Sequence, residues 1–408
     1  MKDDRLHALS VPDSSAEHSL SGSFWLDHWA LERIQRAVAP APLRLVLWDG
    51  HEIGPSDEAP VATILIKNRP ALFKWLWNPD LNFGEGYMSG AVDVRGDLVE
   101  MLEAVYRAMG DAVPRPWWLP APSNGVHASR ENVHHHYDLG NEFYRLWLDQ
   151  EMVYTCAYFQ TPAQSLEDAQ IAKMAHICRK LRLAPDERVV EAGCGWGSLA
   201  LFMAREYGVR VTAFNISSEQ IAYARERARN EGLSDRVEFI EDDYRNVSGV
   251  CDAFVSVGML EHVGLPDYST LSDVMHRTLT ENGRGLLHFI GRNKPAPLNP
   301  WIVKRIFPGA YPPTLTEVFE RVLQPNSFSV LDVENLRLHY AKTLEHWRSR
   351  YLRESDRVTE MFDAPFARAW HLYLAGSEVA FITGTLQLFQ VVFARGGTNA
   401  IPWTRVDA

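Results

Sequence analysis

The chain has 408 residues, 46% of them apolar, enough for one large domain and a smaller one, each with its own core. Its formal net charge of -11 excludes a general affinity for nucleic acid and bulk adhesion to an anionic membrane, though not a local basic patch. There is no run of ~18 apolar residues to span a bilayer, and Cys156, Cys178, Cys194 and Cys251 form no CxxC pair, which argues against zinc and for reduced thiols.

In chain order, residues 1–22 are a polar, acidic lead without the apolar stretch of a signal peptide, so the expected location is cytoplasmic. Residues 23–109 read as a small α+β unit. "PLRLVLWDG" and "VATILIKN" alternate like strands, and "DLVEMLEAVYRAM" has helical spacing. Residues 110–126 are rich in Pro and Gly and read as a linker. Residues 127–408 alternate strand and helix. Strands are expected at "RVVEA", "RVTAFNI", "RVEFIED", "DAFVSVG", "RGLLHFI" and "LQLFQVVFARGG". Helices are expected at "SLALFMAREYG", "SSEQIAYARERARNEG" and "YSTLSDVMHRTLTENG". The pattern predicts an α/β fold, a mostly parallel sheet covered on both faces.

The strand "RVVEA" runs into Gly193, Gly195 and Gly197 and then a helix. Such a loop lets a ligand approach the backbone beside a helix N-terminus, and it also fits a plain tight turn. Its spacing is not GxGxxG, so it does not call for a dinucleotide. Asn215 follows the next strand, where ribose-binding folds often place an acid. Ser217 and Gln220 match a capping box as well as a ligand contact. Asp243, in "EDDYRN", fits either a ligand contact or a solvated acidic loop. His288 in an apolar strand fits a core histidine, Glu261 beside His262 a solvated helix start, and Tyr340 a packed ring. The run His134, His135, His136 invites a metal reading, but adjacent side chains point apart, so no metal is expected.

Taken jointly and in order, several segments resemble one family, the cyclopropane-fatty-acyl-phospholipid synthases, relatives of the mycolic acid cyclopropane synthases. They are "HHHYDLGNEFYRLWLDQEMVYTCAYF", "VVEAGCGWG", "VTAFNISSEQ", "DDYRN", "VGMLEHVG", "LLHFIG", "RIFPGAYPP" and "HYAKTLEHW". His136 and Tyr137 match the family's "HYD", and "FGEGYMSGAVDV" resembles the N-terminal domain of the longer bacterial synthases. "E-x-G-x-G-x-G" is similar to motif I of class I S-adenosylmethionine (SAM) methyltransferases.

The resemblance implies a Rossmann-like SAM-dependent catalytic domain. It places Tyr154, Thr155, Gly193, Gly195, Gly197, Asn215, Ile216, Gln220, Asp243 and Tyr244 at SAM. It places Cys156 (through its backbone), Glu261, His288, Ile290 (through its N–H) and Tyr340 around a bound bicarbonate that acts as general base. It implies methyl transfer to the cis double bond of an unsaturated phospholipid acyl chain, then deprotonation of the resulting carbocation and ring closure. Family members also divert the cation to methyl-branched or methylene products. The N-terminal domain is expected to bind lipid or build a homodimer.

The substrate implies a visit to the membrane surface. Two stretches are basic and apolar enough to serve. One spans residues 284–316, free of Asp and Glu, with Arg284, Arg292, Lys294, Lys304, Arg305, Trp301, Ile302, Ile306, Phe307 and Tyr311. The other holds Lys67, Arg69, Lys74, Trp75 and Trp77. Core or inter-domain packing of the same aromatics is the competing reading.

Overall fold

The computed structural model describes residues 22–55, 59–109 and 139–404; the expected linker and His134, His135, His136 and Tyr137 lie outside them. The fold separates into two units, Met1–Met109 with Ser355–Leu372, and Gly110–Glu354 with Tyr373–Ala408.

In the first unit, strands β1 (Leu43–Leu47), β2 (Glu52–Ile53), β3 (Ala62–Ile66) and β4 (Val92–Arg95) form a sheet of order β2-β1-β3-β4. Strands β1 and β3 run parallel, and β2 and β4 flank them antiparallel. Leu43, Leu45 and Leu47 alternate with half-buried residues, as do Ala62, Ile64 and Ile66, so one sheet face meets the core. Asn68 and Asn78 start the helices Arg69–Trp77 and Pro79–Met88 by accepting backbone N–H bonds. The buried Asp27, in helix Trp25–Val38, takes a two-bond contact from Arg69 at 2.7 and 2.8 Å.

The segment Ser355–Leu372, expected with the catalytic domain, falls in this unit. Arg368 gives the reason. Its guanidinium lies 4.2 Å from the Tyr87 ring and donates to the carbonyls of Tyr87 and Val92 and to Asp93.

The second unit is a seven-stranded sheet of order β10-β11-β9-β8-β5-β6-β7. Its strands are β5 (Arg188–Ala192), β6 (Arg210–Asn215), β7 (Val237–Glu241), β8 (Cys251–Val257), β9 (Leu279–Gly291), β10 (Phe328–Asn335) and β11 (Gln387–Arg395). Strands β5 to β9 are mutually parallel, and β11 and β10 continue the sheet antiparallel. The central strands are buried along nearly their whole length because both faces are covered. Val189, Ala253 and Val255 pack with helices Leu166–Leu181, Ser198–Tyr207 and Ser218–Asn230. Their chain neighbours Val190 and Phe254 pack with helix Tyr268–Thr278 on the opposite face. That helix stops at Thr278, short of the expected end, because Leu279 already pairs with Cys251 as the start of β9.

Strand β5 lies between β6 and β8, where the chain reverses its direction across the sheet. Open α/β sheets bind ligands at the carboxyl ends of strands at such a switch point.

Candidate active site

At that switch point lies a cavity of about 180 Å³. Nine of the ten residues expected at the cofactor line it: Tyr154, Thr155, Gly193, Gly195, Asn215, Ile216, Gln220, Asp243 and Tyr244. The tenth, Gly197, does not. It starts helix Ser198–Tyr207 at φ +85°, and a Cβ there would lie 2.6 Å from Phe239 Cζ and 2.8 Å from Ala224 Cβ. Gly195 differs: at φ +54° it has no heavy atom within 4 Å of its would-be Cβ, so its backbone faces open space.

The side chains at the end of β6 and just beyond it are largely committed to one another. Asn215 donates to Gly195 O at 3.3 Å and to Gln220 Oε1 at 2.6 Å, and its Oδ1 accepts the Ile216 N–H at 2.8 Å. Ser217 caps the next helix by accepting the Gln220 N–H, but the Gln220 side chain turns to Asn215, so the capping box is only half formed. This leaves Gln220 Nε2 buried without a partner, a donor facing the cavity. Asp243 is buried and paired with Arg245 at 2.9 Å, which ends the solvated-loop reading.

Lys173, Glu191, Trp196, Arg245, His262 and Phe307 also line the cavity and were not expected there. Glu191 is the acid of the quoted motif "E-x-G-x-G-x-G" and was legible; Lys173 sits in an ordinary helical pattern and was not. Lys173 donates to Thr155 Oγ1 at 3.0 Å. Burial pulls the Lys173 ammonium down to about 8 and pushes the Glu191 carboxyl up to about 8, each opposed by the other's charge. Glu191 Oε2 is buried with no partner. Upstream, Asp149 accepts the N–H groups of Glu151 and Val153 at 2.9 and 3.0 Å and so folds the turn that delivers Tyr154 and Thr155. Burial raises Asp149 to about 6.

The five residues expected around a base lie beyond this lining. Glu261 follows β8, and its Oε1 accepts the Ile290 N–H at 2.9 Å. His288 lies two residues earlier in β9, and its carbonyl accepts the Gly258 N–H at 2.8 Å, which ties it to the turn that carries Glu261. Glu261 is buried, not a solvated helix start, and burial raises its carboxyl to about 7. Its Oε2 has no partner, nor does Nε2 of the buried His288, so His288 is not a satisfied core histidine. Burial, with Lys173 and Lys180 nearby, depresses the His288 pKa and keeps the ring neutral.

Cys156 and Tyr340 lie on two segments that are hydrogen-bonded to each other. The Ala157 N–H donates to Thr343 and the Phe159 N–H to His339, fixing this segment along helix Arg337–Arg353. That helix is attached to the sheet where the Leu336 N–H donates to Leu388 O, and Leu388 pairs with Ile290. The Cys156 thiol is fully buried, donates to Ala157 O at 3.1 Å, and has its pKa pushed far up by burial. It is not an activated nucleophile.

Aromatic rings connect the two parts. The Tyr154 hydroxyl is 2.7 Å from that of Tyr373. The Tyr154 ring lies 5.2 Å from Trp147 and 5.3 Å from Trp347, which in turn is 6.0 Å from Tyr340. Phe307 lies 5.5 Å from Tyr373 and 5.6 Å from His262. Trp301, Ile306 and Tyr311 are buried and so do not belong to the expected surface patch, whereas Ile302 and Phe307 are half-buried and Lys304 and Arg305 exposed.

The sheet order, the glycine loop after β5 and the cavity at the sheet's carboxyl edge define a class I SAM-dependent methyltransferase. The chain belongs to the mycolic acid cyclopropane synthetase family, whose model matches residues 126–391. A model described as a domain of unknown function matches residues 31–114. The chain is 41% identical to the cyclopropane-fatty-acyl-phospholipid synthase of Escherichia coli (strain K12), over 83% of this chain and 90% of the relative. It is 37% identical to a probable fatty acid methyltransferase of Pseudomonas putida, over 90% and 96%. The solved mycolic acid cyclopropane synthase CmaA1, complexed with SAH and CTAB, is similar with a TM-score of 0.62 and 29% identity, covering 65% of this chain and 98% of its own. The protein is thus a SAM-dependent methyltransferase of the cyclopropane-fatty-acyl-phospholipid synthase type.

The cavity fits SAM. Gly195 leaves room where a Cβ would project, Gln220 Nε2 is an open donor, and Glu191 Oε2 is an open acceptor for a cationic group.

Proposed function

We propose that the protein adds a one-carbon unit from SAM across the cis double bond of an unsaturated phospholipid acyl chain, closing a cyclopropane ring with bicarbonate as general base. One observation carries this reading. Beside the donor cavity, the carboxylate oxygen Glu261 Oε2 and the ring nitrogen His288 Nε2 are buried without partners. An open acceptor and an open donor suit an ion that has acceptor oxygens and one O–H.

In this reading SAM supplies an electrophilic methyl group and bicarbonate supplies the base. The chain's own residues do the rest. Gly193 and Gly195 bring the backbone to the cofactor, with Tyr154, Thr155, Asn215, Ile216, Gln220, Asp243 and Tyr244 around it. Gly197 acts behind the loop, by allowing helix Ser218–Asn230 and β7 to pack close. The rings of Tyr154, Trp347 and Tyr340 offer faces that stabilise a cation and keep water from quenching it. Glu261, His288, Tyr340 and the Cys156 backbone hold the base. Ile290 acts through Glu261, because its N–H is already donated there.

A second reading, a methyl-branched or methylene product from the same cation, is favoured by the relative named a probable fatty acid methyltransferase. The same experiment decides between them. The chain is expressed in a bacterium lacking its own synthase, and the lipid acyl chains are analysed by NMR, because ring and methylene products have equal mass. Ring signals support the first reading and branch signals the second. Unchanged acyl chains with folded protein present sink both.

The substrate places the protein on the inner face of the membrane as a peripheral, cytoplasmic visitor, with a homodimer built through its first unit. Among the described residues no helix is long and apolar enough to cross a membrane. In the first unit Trp25 and Trp77 are 73% and 89% exposed, near the exposed Phe24 and Lys74 in the chain, a composition suited to anionic lipid.

A further inference from the structure

We propose that Gln390 is a positioning residue that fixes which nitrogen of His288 carries the proton. The proposal rests on the base-pocket reading above. Strand β11 is buried at eight successive positions, and such strands are ordinarily apolar throughout. Gln390 interrupts it with a primary amide that is 0% exposed. Its register partner in β9 is His288, so the two side chains share a face of the sheet.

The Gln390 amide Nε2 lies 3.1 Å from His288 Nδ1. The amide nitrogen can only donate, so Nδ1 must accept with its lone pair. A neutral imidazole has one N–H and one lone pair, so the proton belongs on Nε2. That nitrogen is the one without a partner, as are Glu261 Oε2 and Gln390 Oε1. The opposite arrangement fails chemically. With the amide turned over, Nδ1 would carry the proton and Nε2 would present a lone pair beside the Glu261 carboxylate. A pocket of acceptors does not match an anion whose oxygens are mostly acceptors. Gln390 thus makes His288 a donor and leaves Glu261 as the acceptor. His288 Nε2 and Glu261 Oε2, both buried without a partner, are costly unless a ligand pairs them.

The test is NMR of the full chain with ¹⁵N-labelled histidine in the presence of SAH, with turnover measured in parallel. In the natural protein the His288 proton is expected on Nε2. Gln390→Glu places an acceptor-only carboxylate against Nδ1 and should move the proton there. Turnover should then fall about tenfold or more with KM for SAM unchanged. Gln390→Met removes the bond and should leave a mixture of tautomers with an intermediate rate. A proton on Nδ1 in the natural protein overturns the proposal. So does an unmoved proton in Gln390→Glu, or a moved proton with unchanged turnover. Failure of the bicarbonate reading shows separately, as turnover of the natural protein that is indifferent to bicarbonate depletion and restoration.

Discussion

The two halves of the site solve different problems. On the donor side Gly193 and Gly195 bring backbone to the cavity wall, and Asn215, at the end of β6, and Asp243, just after β7, are committed to Gln220 and Arg245. On the base side, side chains from β9, from β11 and from the turn after β8 meet in a buried place with polar atoms left over. Damage to the donor half should therefore act through shape, and damage to the base half through protons.

The largest effect is expected from Glu261→Gln. It keeps the shape and removes the acceptor, so ring formation should drop by about 10³-fold. SAH affinity, measured by calorimetry, should stay within about twofold, since the residue is outside the donor lining. Equal loss of both would erase the distinction between the halves.

Next come two glycines with the same backbone sign. Gly197→Ala drives a methyl into Phe239 and Ala224 and should cost about 3 kcal/mol in a denaturation experiment. Gly195→Ala meets nothing in the protein and should cost only about 1 kcal/mol, for its positive φ. Its SAH affinity should nevertheless fall roughly tenfold, because the methyl occupies ligand space. Equal stabilities for the two variants would contradict the assignment.

The base half should also show in pH. Burial raises the Glu261 carboxyl to about 7, so its ionised form accumulates only as pH rises to that value. With bicarbonate saturating, turnover should climb about tenfold per pH unit below this midpoint and level off above it. The stability sign follows from the same shift. A carboxyl whose folded pKa is raised favours the fold below its unfolded pKa and loses that contribution as pH rises through about 7. Glu261→Gln should thus gain in melting temperature relative to the natural protein as pH goes from about 5 to about 8. A constant difference would place the shift elsewhere. The smallest effect is expected from Cys156→Ser, which should keep turnover within about threefold, because the thiol only donates to a neighbouring carbonyl. Complete loss would restore a covalent role.

The donor half was the more legible in sequence, and the reason is physical. Gly193, Gly195, Asn215 and Asp243 sit within a few residues of strand ends, so local patterning places them on one edge of the sheet. The base half depends on register. His288 and Gln390 are 102 positions apart, and Tyr154 and Tyr373 are 219 apart. Nothing within either strand says that they meet. Family resemblance supplied Glu261, His288, Ile290 and Tyr340, but not Gln390, Lys173 or the Tyr154–Tyr373 pair. Composition misled where it gave no direction. The stretch 284–316 is basic and aromatic, yet Trp301, Ile306 and Tyr311 point inward. Conversely, the exposed Trp25 belongs to a helix whose sequence offered no basic cluster to mark it.

Strand β11 lies between β9 and β10 in space but after both in the chain. In order of synthesis β9 and β10 are both made before β11, the strand they pair with. Only when residues 387–395 emerge does the sheet gain Gln390 and the anchor for Leu336. The two pairings that close this end of the sheet are thus the last to become available as the chain is made.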